Sequence, residues 1–278
     1  MNIVTTTSVF PVGYSASMAL HRLSRVGFSH LDMAFDYCSK PDHPFMGENW
    51  REWASEVRQE ADSLGVRYTH AHASGNVASR GIATLRCFEA CRILGIRYLV
   101  IHPLHMQDGT VITDDDDFIR INAESVRGLL PYAEENGVTI LSENLLWGAS
   151  VRPAAIARLV ETVNHPNFGW CFDTGHAHCE GISMACLREI KTAPVSLHVQ
   201  DNCGGHGKDE HLIPGDGTVD WKEFLDLLLE IGYKGELVLE AHHQSLDAAD
   251  ENRETILSEL LHRAERMNEY FCRKKNLG

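Results

Sequence analysis

Metal-type side chains stand where apolar, strand-like segments end in the stretch 168–211. Asp173 ends one such segment, His176 follows it by three residues, and His198 lies at the end of the next segment. A polar, glycine-rich stretch then supplies Asp209 and His211. Carboxylate and imidazole groups are usual ligands of zinc and manganese, and each is costly to bury without a partner. The stretch therefore predicts a metal site, to which other parts of the chain should bring further ligands.

The other predicted strands end in side chains of the same kind. Strands three to eight end at His72, His102, Glu143, Asp173, His198 and Glu240. Because the parallel strands of a barrel all end at one mouth, these side chains should meet there. Together with His176, Asp209 and His211 they make nine candidate metal ligands. His70 shares a strand face with His72, so the sequence leaves open which of the two is the ligand.

Eight strand–helix units follow one another along the chain. The predicted strands are 3–9, 30–34, 66–72, 97–102, 138–143, 168–173, 195–199 and 236–240. The predicted helices are 18–26, 50–64, 78–94, a helix capped at Thr113 that runs to Asn136, 153–163, 183–191, 221–231 and 250–271. Strands that alternate with helices indicate a parallel sheet, and eight units in this length favour a closed barrel. We therefore predict an α/β fold, a single (β/α)8 TIM barrel domain covering residues 1–278.

The amino-acid composition indicates which kinds of molecule the protein is expected to bind. The chain has 25 basic and 39 acidic residues, a formal charge of −14, which disfavours binding to nucleic acid unless basic residues gather on one face. No apolar run approaches the roughly 18 residues of a membrane span, and the N-terminus does not resemble a signal peptide. The eight cysteines are scattered without a Cys-x-x-Cys pair, which indicates reduced thiols. We expect a cytoplasmic protein that acts on a small molecule.

Several short motifs resemble those of the xylose isomerase-like barrel superfamily. The matching residues are His102-Pro103, Glu143-Asn144, Asp173-Thr174-Gly175-His176, His198, Asp209-Glu210-His211 and Glu240. That superfamily contains sugar isomerases and epimerases, inosose dehydratases and endonuclease IV. The motifs occur in the expected order over nearly the whole chain. They are specific for the superfamily but do not select one activity within it.

In the sugar epimerases of the superfamily, four residues hold one divalent ion, which is Mn, Mg, Co or Zn. The resemblance assigns this role to Glu143, Asp173, His198 and Glu240. It further implies that Glu143 and Glu240 act as acid and base in a proton transfer through a metal-stabilised enediolate. His176 would orient a substrate oxygen. The expected activity is therefore a metal-dependent isomerisation or epimerisation of a sugar, sugar phosphate or polyol.

Five further residues are expected to contact a carbohydrate. Asn144 follows a ligand position, and Trp50 and Trp147 lie in or near loops at the predicted mouth. The superfamily's epimerases often carry an arginine after the histidine of strand seven, where this chain offers only His206 and Lys208. The resemblance also suggests a homo-oligomer, since relatives are often dimers or tetramers.

Three other functions stay open. In endonuclease IV nine residues hold three zinc ions, and all nine positions have candidates here, so up to three ions could bind. Against that reading stand the acidic charge and a weak match around strand three. A lyase similar to inosose dehydratase would use the same residues. A non-catalytic, metal-stabilised barrel is less favoured, because structural zinc sites usually contain cysteine.

Overall fold

Eight parallel strands close into one barrel in the computed structural model, which describes residues 1–276. The barrel strands are β1 (Ile3–Thr6), β2 (His30–Ala34), β3 (Arg67–Asn76), β4 (Tyr98–His102), β5 (Thr139–Glu143), β6 (Phe168–Asp173), β7 (Ser196–Val199) and β8 (Leu237–Leu239). Each strand pairs with its neighbours in the chain, and β1 pairs with β8 to close the ring. The predicted TIM barrel is confirmed. That the chain forms one domain over 1–278 stays a prediction, and its last two positions lie outside the described residues.

An outer layer of helices surrounds the barrel. Its longer members are α1 (Ala16–Val26), α2 (Trp50–Ser63), α3 (Ile82–Leu94), α4 (Asp115–Arg127), α5 (Leu130–Asn136), α6 (Pro153–Val163), α7 (Trp221–Glu230) and α8 (Arg253–Lys275). Short α-helices span Phe35–Cys38, Thr174–Cys179 and His243–Asp247. Turns of 3-10 helix span Thr7–Val9, Pro44–Met46, Gly148–Val151, Met184–Arg188 and Asp250–Asn252. A two-stranded hairpin pairs Met106–Gln107 with Thr110–Val111.

Local sequence explains where several helices begin and end. The side chains of Asp114 and Asp220 accept hydrogen bonds from backbone N–H groups in the first turns of α4 and α7, which are otherwise unpaired. Gly27, Gly95 and Gly137 follow α1, α3 and α5 in the left-handed conformation, which glycine adopts without steric cost. These glycines are the stop signals that the sequence contains.

Several predicted elements differ from the structure, and four of them are instructive. Strand one is shorter, because the side chain of Thr6 caps a 3-10 turn at 7–9. The predicted helix 113–136 is two helices: Asp114, not Thr113, caps the first, and the second begins just before Pro131, which fits only a first turn. The predicted helix 183–191 is a 3-10 turn, Met184–Arg188. Strand three continues past His72 to Asn76, with a register shift against β4 between those residues.

The alternation of side chains along the strands separates two apolar regions. On β6, Trp170 and Phe172 pack outward among the helices, whereas Cys171 packs inside the barrel with Val100 and Leu141. By the same period of two, Asp173 faces the barrel interior at the carboxyl end of the strand. All eight cysteines are free thiols. None of the helices within residues 1–276 has the length and apolar composition needed to span a lipid bilayer.

Candidate metal centre

Three carboxylates surround one imidazole nitrogen at the mouth of the barrel. Nδ1 of His198 lies 2.9 Å from Oε1 of Glu143, 3.3 Å from Oε2 of Glu240 and 4.0 Å from Oδ2 of Asp173. One ligand atom from each of the four residues lies within 4.8 Å of all the others. Strands β5, β6, β7 and β8 supply one residue each, within one residue of their carboxyl ends. We call these four residues the primary cluster.

Two oxygen atoms of the primary cluster are buried without a hydrogen-bond partner. They are Oε2 of Glu143 and Oδ2 of Asp173, and both residues are fully buried. A buried carboxylate oxygen without a partner is costly, and a bound cation removes that cost. A donor set of three carboxylates and one imidazole suits a divalent ion such as Mn, Mg, Co or Zn. The residues present therefore fit a divalent metal ion.

The pKa values of the primary cluster reflect burial and close charges. Burial alone would raise the pKa of Glu143, but His198 and His102 outweigh it and hold the pKa well below its usual range. Burial acts on Glu240 in the same way, and His198 and His72 again lower its pKa. Burial raises the pKa of Asp173 to about 7, with Glu143 and Glu240 adding to the rise. The two glutamates are therefore the charged partners of the neighbouring imidazoles.

A second group, the histidine pair cluster, consists of His176, Asp209 and His211. Nε2 of His176 and Nε2 of His211 lie 3.2 Å and 2.9 Å from the same oxygen, Oδ2 of Asp209. Nδ1 of His176 donates to the carbonyl of Asn144, and Nδ1 of His211 donates to the carbonyl of Glu240. Metal-binding histidines typically make such a bond with the ring nitrogen that does not bind the ion. This cluster could therefore also hold a cation.

His72 and His102 lie beside the primary cluster. Nε2 of His72 is 2.9 Å from Nε2 of His102, and its Nδ1 is 3.4 Å from Oε1 of Glu240. His72, Glu143 and His198 also bring ligand atoms within 4.8 Å of one another. Nε2 of His102 lies 3.5 Å from Oε2 of Glu143. All nine predicted ligand positions therefore lie around the same mouth, and two of the groups share Glu143 and His198.

His70 lies deeper in the barrel than His72. Its Nε2 is 3.1 Å from the hydroxyl of Ser196, and its Nδ1 lies 3.3 Å from Oε2 of Glu236. Burial lowers the pKa of His70 to about 3, so the ring is neutral. Of the two histidines that the sequence left as alternatives, His72 is the one that faces the primary cluster, through Glu240.

Asn144 supports the site instead of facing a substrate. The side chain is fully buried; its Nδ2 donates to the carbonyl of Asp173 and its Oδ1 accepts from the N–H of Asp173. Both polar ends of the amide are thus used to hold the strand end that carries Asp173. The expectation that Asn144 contacts a carbohydrate is corrected, because its side chain is fully buried and both of its polar atoms already pair with the backbone of Asp173.

Trp50 also lies elsewhere than expected. Its indole ring is 4% exposed, and the guanidinium groups of Arg51 and Arg86 lie 4.4 Å and 5.3 Å from it. It packs with Phe45 and borders a cleft between α2, α3 and α5, in the helical layer outside the barrel. The expectation that Trp50 forms a wall of the substrate site is corrected for this reason.

The other predicted contact residues lie on exposed loops. Trp147 is 50% exposed, after β5, and stacks on His105 with ring centres 5.0 Å apart. His206 donates from Nδ1 to Glu180, 2.6 Å away, and Lys208 is exposed on the same loop after β7. The aromatic pair offers a flat apolar surface of the kind that a sugar ring uses. His206 and Lys208 keep their assignment as a prediction.

The sequence did not lead us to predict a role for two residues that follow β7, Gln200 and Asp201. Gln200 is fully buried, and its amide nitrogen lies 2.7 Å from Oδ1 of Asp209 and 3.4 Å from Oδ1 of Asp173. Asp201 accepts hydrogen bonds from the backbone of Asn202, Gly215 and Val219 and from the indole of Trp221. The period of two along β7 was the available signal for Gln200, since it shares a face with His198.

We expect replacement of Asp201 by alanine to destabilise the protein by about 3 kcal/mol, because buried donors that lose their acceptor cost about 1–3 kcal/mol each. The loop that carries Asp209 and His211 should loosen as a consequence. Urea unfolding measures the change. Asp216→Asn, on the same loop but in an exposed pair with Arg263, is the control and should change stability by less than about 1 kcal/mol. Equal stability of Asp201→Ala and the unmodified protein would contradict the role of this carboxylate.

The sequence and the fold are both similar to those of known proteins. Residues 20–265 match the sequence profile described as xylose isomerase-like TIM barrel. ML2432 of Mycobacterium leprae, an uncharacterised protein, is 36% identical over 260 residues, which cover 83% of this chain and 90% of that protein. The crystal structure of D-psicose 3-epimerase from Clostridium cellulolyticum H10 with D-tagatose superposes with a TM-score of 0.73 at 18% identity, covering 96% of this chain and 99% of the epimerase.

The chain belongs to the xylose isomerase-like TIM barrel family, which confirms the resemblance seen in the sequence motifs. An inosose isomerase of Bacillus licheniformis is 30% identical over 152 residues, which cover 52% of this chain and 54% of that enzyme. The chain thus spans about half the length of this curated relative. Sugar isomerases and epimerases are therefore among its relatives and structural neighbours.

Proposed function

We propose that the protein is a divalent-metal-dependent isomerase or epimerase of a carbohydrate or polyol. The observation that carries this proposal is the primary cluster, in which three carboxylates face Nδ1 of His198 and two buried oxygens have no partner. One ion in this cluster accounts for both features. The oxygen-rich donor set favours Mn or Mg, whereas the neighbouring histidines favour Zn.

When bound, the ion would act as a Lewis acid towards a carbonyl and an adjacent hydroxyl of the substrate, which acidifies the C–H bond beside the carbonyl. Glu143 and Glu240 come from strands that are separated by β6 and β7, so their carboxylates approach His198 from different parts of the barrel wall. One glutamate removes the proton from carbon, and the other returns a proton to the opposite face or to a neighbouring atom. The low pKa values keep Glu143 and Glu240 ionised before a substrate binds, so the glutamate that returns a proton must first take one from solvent or from a substrate hydroxyl.

The chain's other groups would orient the substrate. Nδ1 of His176 is held by the carbonyl of Asn144, and its Nε2, which faces Oδ2 of Asp209, is the nitrogen that would bind a substrate oxygen. The stacked rings of Trp147 and His105 supply an apolar surface beside the site. His206 and Lys208 supply polar contacts from the loop after β7. A small carbohydrate is the partner that this combination serves.

Metal content per chain and hydrogen exchange with solvent together test the proposal. Protein saturated with Mn2+ or Co2+ and freed of excess ion should hold about one ion in the primary cluster. A panel of ketoses and inososes in D2O should then include one compound that gains deuterium at the carbon next to its carbonyl, as followed by NMR. A metal-loaded protein that exchanges no hydrogen in any member of the panel would contradict the isomerase assignment.

A lyase similar to inosose dehydratase shares the first proton transfer with this scheme. It differs because the substrate then loses water, so the same NMR experiment would show a new unsaturated product. An inosose dehydratase of Glaesserella parasuis is 27% identical over 149 residues, and the chain covers 49% of that enzyme. Product identity therefore separates the two activities.

A zinc-dependent phosphodiesterase similar to endonuclease IV is the second candidate. The histidine pair cluster favours it, because His176 and His211 both direct Nε2 at Asp209 and could hold a further ion. Three zinc ions per chain, together with cleavage of an oligonucleotide that contains an abasic site, would establish this function instead. The formal charge of −14 disfavours it. A homo-oligomeric state and a cytoplasmic location stay predictions.

A further inference from the structure

A single buried amide connects the primary cluster with the histidine pair cluster. Gln200 follows β7 and is fully buried. Its Nε2 lies 2.7 Å from Oδ1 of Asp209 and 3.4 Å from Oδ1 of Asp173, so one NH2 group faces two carboxylates of different clusters. An amide nitrogen carries two hydrogens and can serve both acceptors at once. The opposite orientation would direct the amide oxygen at two carboxylates and is excluded by repulsion.

The residues around Gln200 leave its side chain little freedom. Its N–H donates to Oγ1 of Thr174, and the same hydroxyl donates to its carbonyl, which holds the backbone. Gly175 lies against the side-chain amide, and a Cβ atom at Gly175 would be 2.0 Å from Cδ of Gln200. The glycine in the Asp173-Thr174-Gly175-His176 motif therefore provides the space that this amide occupies.

Hydrogen bonds from Gln200, together with the backbone N–H of His176 at Asp173, determine which oxygen each carboxylate offers to a ligand. Oδ1 of Asp173 accepts from the N–H of His176 and from Gln200, which leaves Oδ2, the buried oxygen without a partner, facing the primary cluster. In Asp209, Oδ1 accepts from Gln200, and Oδ2 faces His176 and His211. One amide thus turns one oxygen of each carboxylate towards a different group of candidate ligands.

We infer that Gln200 is a positioning residue, which orients Asp173 and Asp209 together and thereby raises the affinity of the primary cluster for a divalent ion. This inference rests on metal binding at the primary cluster, as in the proposed function, but not on any particular reaction. Residues that orient metal ligands typically contribute about 10–100-fold to metal affinity. Gly175 takes part by leaving room for the amide.

The test is metal affinity of purified protein, measured by competition between the protein and a chromophoric chelator for Mn2+ or Zn2+. Gln200→Met keeps the length of the side chain but removes the donor, and should weaken binding by about 10–100-fold. Gly175→Ala should weaken binding in the same range as Gln200→Met, since the new Cβ displaces the amide.

The controls separate positioning from simple packing. Gln59→Met, at an exposed position on α2, should leave metal affinity unchanged. Urea unfolding of each metal-free variant measures stability independently of the ion. Gln200→Met with the affinity of the unmodified protein would overturn the inference, and so would a Gly175→Ala variant that binds the ion as tightly as the unmodified protein. Absence of isomerase activity with intact metal binding would refute the proposed function alone and leave this inference standing.

Discussion

Replacing either glutamate of the primary cluster by glutamine should slow turnover strongly. We expect Glu143→Gln and Glu240→Gln each to lower kcat by on the order of 10²–10⁴-fold, because a positioned acid or base contributes about that much. The readout is NMR of the substrate found by the exchange panel. For an epimerase, the two variants should also differ: each should still exchange deuterium into the epimer that its remaining glutamate can deprotonate. That asymmetry identifies which glutamate serves which face.

A nearby glutamate provides the matched control for these variants. Glu236 precedes β8, four residues before Glu240, and contacts His70 and Asn2 instead of His198. Glu236→Gln should therefore keep kcat within about threefold of the unmodified protein, since it adds no group to the proton transfer. Full activity in both Glu143→Gln and Glu240→Gln would exclude proton transfer by these residues. Loss of activity in Glu236→Gln as well would point to a general disturbance of the barrel.

Metal ions should strongly stabilise the protein against heat. An ion present at a concentration of about 1,000 times its Kd adds about 4 kcal/mol to the free energy of unfolding. For a chain of this size, that raises Tm by about 8–16 °C. The physical reason is that the ion would pair with the carboxyl groups of Glu143, Asp173 and Glu240 in a buried site, where two of their oxygens have no partner. Thermal unfolding of chelator-treated protein, with and without added Mn2+ or Zn2+, measures the difference.

Asp173→Asn and Asp32→Asn form the matched pair for this experiment. Asp173→Asn removes a ligand oxygen and its charge, and a 100-fold loss of affinity would reduce the stabilisation by about 3 kcal/mol. Asp32 is a buried aspartate on β2, outside the primary cluster, and Asp32→Asn should keep the rise in Tm. An equal rise in Tm for Asp173→Asn and the unmodified protein would place the ion elsewhere.

Strand ends were the most informative feature of the sequence. Apolar segments that end in Glu143, Asp173 and His198 predict both the barrel and the meeting of these side chains, because parallel strands share one carboxyl edge. The glycines Gly27, Gly95 and Gly137 indicated where three of the outer helices end. These features are local, so a single sequence contains them.

The predictions that failed depend on contacts between distant segments. The role of Asn144 follows from the backbone of Asp173, which lies 29 residues away in the chain. Trp50 is covered by arginines of its own and the next helix, which periodicity alone does not indicate. Gln200 becomes important only because Asp209 returns to it from the far end of a loop. Neither residue type nor spacing specifies such pairings.

The anchoring of the loop after β7 has a consequence for how new specificities could arise in this protein. Asp201 binds both ends of the loop, at Asn202 and at Gly215 and Val219, while residues 203–208 between them are mostly exposed. Changes of length or sequence in 203–208 would therefore leave Asp209 and His211 in place. Natural or engineered changes in this segment can therefore alter which substrate binds without changing the residues that bind the ion.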